Sequence, residues 1–104
     1  MTYNRFWLLP VTVLLPWMWV TSDASDIFNG REVYEMHCQT CHGMDGQAFE
    51  PGVPDFSRGE SLYSPDVELV RSLRDGDGHM PSYRGLLSDE ELRDVIAYIR
   101  TLQR

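Results

Sequence analysis

The chain has 104 residues, which suits a single domain. Its formal net charge is -7, and all nine basic residues are arginine. That balance leaves no basic footprint, arguing against nucleic acid as a partner and for a docking partner that is neutral or basic rather than acidic.

Residues 1–24 read as a leader rather than as part of the fold. Arg5 precedes an apolar run from Phe6 to Val20. The run ends at Ser22-Asp23-Ala24, with small residues at the two positions a signal peptidase reads. Cleavage after Ala24 is expected, delivering the remainder to the periplasm. The run is shorter than the ~20 residues of a spanning helix, and Pro10 and Pro16 interrupt it. The competing reading is an uncleaved anchor facing the periplasm, supported by Trp17 and Trp19, which suit a bilayer interface. Membrane contact is expected only in that case. The folded domain is then 25–104, about 80 residues, small for an independent apolar core.

Ser25 or Asp26 can cap a first helix running to about Cys38. Ile27, Gly30, Val33 and Tyr34 fall on one face of it. A glycine inside a helix costs roughly 1 kcal/mol against alanine, so Gly30 suggests close approach of another helix.

Next comes Cys38-Gln39-Thr40-Cys41-His42, which contains both cysteines of the chain. C-x-x-C-H is the attachment pattern of a c-type haem. On a helical turn, positions i and i+3 share a face, so both thiols can reach the vinyl groups on one porphyrin edge. The following histidine supplies the proximal iron ligand. Three other uses of the cysteines fit less well. A thioredoxin-type dithiol needs a βαβ context that is missing. Structural zinc needs four ligands; His79 could join the three here, but His42 directly follows Cys41 and no second C-x-x-C exists. The third is a plain disulfide in a secreted chain, against which the complete pentapeptide and the rest of the chain speak.

Gly43, Gly46, Pro51, Gly52 and Pro54 mark an irregular segment after the motif. It is expected to wrap the proximal side of the ring, with Phe49, Val53 and Phe56 as cover. A backbone carbonyl near Gly52 to Pro54 is expected to accept from the second nitrogen of His42. Ser64-Pro65-Asp66 opens a middle helix with Val67, Leu69, Val70 and Leu73 inward, ending at Gly76. Ser88 and Glu91 form a capping box for the last helix, whose stripe is Leu92, Val95, Ile96, Ile99 and Leu102.

Between these helices, Met80 is the candidate distal ligand. It follows a glycine-containing loop and precedes Pro81, which holds it extended. A thioether ligand raises the reduction potential relative to a second imidazole. The rival is His79, and a vacant sixth position is the third reading. Arg58, Tyr63, Tyr83 and Arg84 are candidate propionate partners, set against ordinary solvated arginines. The haem edge near Cys41, with Met44, Phe49 and Pro81, is the expected docking patch.

Taken in order, the helix with Gly30 and Tyr34, Cys38-Gln39-Thr40-Cys41-His42, the Gly/Pro loop, Met80-Pro81 and the terminal amphipathic helix resemble a small bacterial class I c-type cytochrome. The resemblance covers nearly all of residues 26–104. It implies an all-α cytochrome c fold, three main helices around one covalent haem c. It also implies that Gly30 and Tyr34 meet the last helix around Ile96, Tyr98 and Ile99. The expected function is one-electron transfer in a periplasmic respiratory chain, with Cys38 and Cys41 attached to haem and His42 and Met80 on the iron. A protein with both axial positions filled is a carrier and not an enzyme. The alternatives are a dedicated haem subunit of a nitrite reductase or terminal oxidase, and a ligand-binding or peroxidase-like protein with an open iron. The lysine-rich mitochondrial members differ from this arginine-only acidic chain, so their docking partners do not carry over.

Overall fold

The computed structural model describes residues 25–104; the leader expected at 1–24 lies outside the described residues. The chain forms helices α1 (Ile27–His37), α2 (Gln39–His42), α3 (Asp66–Asp75) and α4 (Asp89–Arg100), with a 3-10 turn at Phe56–Arg58. No strand occurs among the described residues, as an all-α fold requires.

Asp26 caps α1, its carboxylate accepting from the N–H groups of Phe28 and Asn29. Gly30, Val33 and Tyr34 form the buried face. Ile27, assigned to that face from its spacing, is 44% exposed because it lies in the first turn, at the end of the buried face. Ser88 and Glu91 complete the capping box of α4. Leu92, Val95 and Ile96 on α4 are almost fully buried. Each contributes roughly 1.5–3 kcal/mol, which makes α4 the helix the core can least do without.

Helices α1 and α4 cross at Gly30. A Cβ there would sit 2.0 Å from the Asp94 carbonyl oxygen and 3.0 Å from the Tyr98 Cβ. One turn on, the Tyr34 and Tyr98 rings meet edge to face with centroids 5.3 Å apart. Asp94 itself is buried. Its carboxylate accepts from the Asp26 N–H at 2.8 Å and from the Asn29 amide at 2.9 Å. The negative charge thereby faces the first turn of α1, where the helix dipole is positive.

The middle helix begins one residue later than the sequence suggests. Pro65, not Ser64, occupies the cap position, and it makes no side-chain bond. The carbonyl of Ser64 instead accepts from Arg100, which also donates to the Leu62 carbonyl and to Asp66. Arg100 thus ties the segment before α3 to the end of α4. On α3, Val70 is buried while Val67 is 67% exposed. The inward face is Leu69, Val70 and Leu73, and Val67 lies about 120° away from its centre at 100° per residue.

The core falls into two clusters. One gathers Val33, Tyr34, Cys38, Phe56, Leu62, Val95 and Ile99. The other gathers Val70, Tyr83, Leu92 and Ile96, with Met80 against its edge. Helix α4 contributes to both, and Leu73 and Leu87 touch both.

Candidate haem-binding site

The short helix α2 brings the motif together. Cys38 ends α1 and starts α2, and its carbonyl accepts from the N–H groups of Cys41 and His42. Cys38 is buried, whereas Cys41 is exposed. Burial first, and the neighbouring Cys41 second, push the Cys38 thiol up to about 11. Gly43 then turns the chain out of α2 with φ +82, and a Cβ there would lie 2.1 Å from the Gln47 carbonyl oxygen. The Tyr34 hydroxyl donates to the Gly43 carbonyl at 2.6 Å, pinning this exit to α1.

A cavity of about 600 Å³ opens between the two core clusters. Cys38, Cys41, His42 and Met80 all line it, as does His79. Two residues assigned to separate parts of the sequence, His42 and Met80, are thus brought to one space by α3 and the turn after it. That turn is closed by reciprocal bonds: the Asp77 N–H donates to the Met80 carbonyl at 3.1 Å, and the Met80 N–H to the Asp77 carbonyl at 2.9 Å. Met80 is half-buried while His79 is exposed.

The His42 ring is held by its surroundings. Phe56 stacks on it, with centroids 4.5 Å apart and planes 15° apart. Its Nδ1 is buried and has no hydrogen-bond partner among the described residues. Burial lowers the imidazole pKa, and the Pro54 carbonyl opposes that effect without meeting the geometry of a formed hydrogen bond. Pro54 closes the segment expected to supply a carbonyl to this nitrogen. An uncharged imidazole with one nitrogen beside a backbone acceptor is the form that ligates a metal through the other.

These observations fit a covalently attached haem. Two sulfurs on one helical turn, an imidazole and a thioether all face one space, and that space has the volume of a small-molecule site. The surrounding wall holds further surprises. Among the described residues it carries Glu50 and Asp77 but no arginine. Of the four propionate candidates, Tyr63 and Tyr83 line the cavity and Arg58 and Arg84 do not. Arg84 pairs with Asp75 instead. Phe49, expected as cover, is 82% exposed and does not line the wall; Val53 and Phe56 do. Cys41 and Pro81 belong to the wall, while Met44 and Phe49 of the expected docking patch lie outside it on the surface.

Asp94 and Arg100, which hold the helices behind the cavity, were not singled out from the sequence. Asp94 left one trace, an acid set inside the apolar stripe of the last helix. Arg100 left none, because its partners lie 34 to 38 positions away.

Comparison with known proteins agrees with this geometry. The family described as cytochrome c oxidase, cbb3-type, subunit III matches residues 25–99. Cytochrome c6 of Thermosynechococcus vestitus is 30% identical over 83 residues, 73% of this chain and 70% of that protein. The cbb3-type oxidase subunit CcoP of Azospirillum brasilense is 30% identical over 89 residues, 79% of this chain but only 30% of that protein. Among solved structures, the KustC0563 c-type cytochrome superposes with a TM-score of 0.65 at 25% identity, covering 72% of this chain and 98% of that one. Fold, motif and relatives converge, and the chain belongs to the c-type cytochromes as a small monohaem class I member carrying one covalently bound haem c.

Proposed function

We propose that this protein is a one-electron carrier of a periplasmic respiratory chain, not an enzyme, with haem joined to Cys38 and Cys41 and the iron held by His42 and Met80. The supporting observation is the shared cavity, which gathers all four side chains. Haem supplies the one-electron chemistry when bound. The chain's own residues do the rest. Phe56 stacks on His42 and holds its ring. The Asp77–Met80 turn presents the thioether, and the apolar walls keep the site low in dielectric.

The expected docking surface is the cavity mouth near Cys41 and Pro81, both exposed. A weak redox encounter needs only a small contact area. The acidic chain favours a neutral or basic partner. Delivery to the periplasm follows from reading 1–24 as a cleaved leader. An anchored form facing the periplasm would serve the same role.

The test is a visible spectrum of the isolated holoprotein with and without Met80→Ala. The expected result is a six-coordinate low-spin haem that becomes high-spin and binds carbon monoxide when Met80 is removed. An unchanged spectrum would move the ligand to His79, which shares the wall.

One observation favours a second reading, a dedicated haem subunit of a terminal oxidase. The matching family is described by an oxidase subunit, and CcoP of Azospirillum brasilense is among the relatives. Co-isolation of the native protein with a membrane oxidase, at fixed stoichiometry through gel filtration, would select that reading over a free carrier.

A further inference from the structure

The cavity has two sides, and they are joined unequally. On one side are α1, α2 and the segment through Phe56. On the other are α3 and residues 76–87, which carry Met80. Nearly every hydrogen bond of the Met80 segment returns to its own side. The Tyr83 N–H donates to the Leu73 carbonyl at 3.0 Å. The Ser82 hydroxyl donates to the Arg74 carbonyl, and the Arg84 guanidinium to Asp75. Asp77 and Met80 bond each other. Among the described residues, one hydrogen bond runs from this segment to the opposite side: the Tyr83 hydroxyl donates to the His37 carbonyl at 3.0 Å.

The placement gives that bond leverage. His37 is the last residue of α1 and directly precedes Cys38. Tyr83 is three positions after Met80, is buried, and lines the cavity. Its ring also meets the His37 ring edge to face, with centroids 5.9 Å apart. A segment anchored only to α3 could swing away with α3 as one unit. The Tyr83 hydroxyl resists that motion through its bond to the last residue of α1, directly before Cys38.

We propose that Tyr83 is a positioning residue, a clasp across the cavity that holds the Met80 segment against the end of α1 and so sets how readily the sixth ligand gives way to an outside one. This rests on reading Met80 as that ligand. A carrier needs its ligand to stay in place in both oxidation states, and the clasp supplies that restraint without touching the iron.

Tyr83→Phe keeps the ring and its contact with His37 and removes only the hydroxyl. Loss of one hydrogen bond of ordinary strength should raise the affinity of the ferric holoprotein for added imidazole by roughly fivefold. Asn29→Ala serves as the comparison, because it removes a side-chain bond to Asp94 at the α1–α4 crossing, outside the cavity wall. It should lower the denaturation midpoint by a comparable amount yet leave imidazole affinity within about twofold. Met80→Ala is run beside both, reading the long-wavelength thioether-to-iron band. If that band disappears in Met80→Ala but Tyr83→Phe binds imidazole no better than Asn29→Ala, the clasp is wrong and the ligand assignment stands. If the band survives in Met80→Ala, the ligand assignment is wrong and the clasp falls with it.

Discussion

Replacing Gly30 by alanine sets two effects of opposite sign against each other. Helix propensity alone favours alanine by about 1 kcal/mol in a helix interior. Gly30, however, faces the backbone of α4. The added Cβ would stand 2.0 Å from the Asp94 carbonyl oxygen and 2.5 Å from its carbon. An ordinary contact begins at 3.4 Å, so α4 must retreat by about 1.4 Å. No flexible side-chain tip can absorb this, because the obstacle is main chain. The retreat would also stretch the Asp94 bonds to Asp26 and Asn29 and part the Tyr34 and Tyr98 rings. Overpacking of this kind costs typically 1–3 kcal/mol, and losing a charge-assisted bond adds about 1.5 kcal/mol or more. The net expectation for Gly30→Ala is destabilisation by roughly 2–4 kcal/mol. Guanidinium denaturation of the ferric holoprotein, followed by haem absorbance, measures it. A variant as stable as the parent, or about 1 kcal/mol more stable as propensity alone demands, would refute the close crossing.

Two further outcomes follow from side chains around the same scaffold. Asp94→Ala should cost roughly 2–4 kcal/mol in the same denaturation assay, since it strands the Asp26 N–H and the Asn29 amide at the start of α1. Asp45 is held below the usual carboxylate value, first by the Gln47 N–H and also by Arg104. A carboxyl whose folded pKa is depressed contributes stability that is present above its unfolded pKa and lost as pH falls through the folded one. The acid limb of the stability profile, below about pH 4, should therefore be shallower in Asp45→Asn than in the parent. Parallel limbs would show that Asp45 is indifferent.

The parts of the site that could be read from the sequence are those written in adjacent residues. The attachment pentapeptide, the Asp26 cap and the Ser88–Glu91 box each depend on residues within one turn. Gly30 was legible because a glycine inside a helix needs a reason, and the Asp94 backbone is that reason. What failed was set by packing between distant segments. Ile27 and Val67 have inward-looking spacing but sit where no neighbour covers them. Ser64 resembles a cap, yet its carbonyl is engaged by Arg100 and the helix starts after Pro65. Phe49 is apolar and near the motif, but the wall is completed by Val53 and Phe56 instead. Arg58 and Arg84 bear the right charge for a propionate, and their placement outside the wall is a tertiary fact. Tyr83 was noticed for its hydroxyl, but its acceptor, 46 positions earlier, could not be inferred from spacing.

The crossing of α1 and α4 also bears on the order in which the molecule comes into being. Asp26 and Asp94, joined at that crossing, are 68 positions apart. The wall segment at Leu62 and Ser64 likewise waits for Arg100. A ribosome makes Cys38 and Cys41 long before Asp94 and Arg100 exist, so the part of the Cys38 cover that α4 supplies is missing during synthesis. The Cys38 sulfur, buried in the cluster that holds Val95 and Ile99, stays open to chemistry until that latest-made helix swings into place, whereas Cys41 is exposed even in the finished fold; the architecture thereby leaves time for a prosthetic group to be joined before the core closes around it.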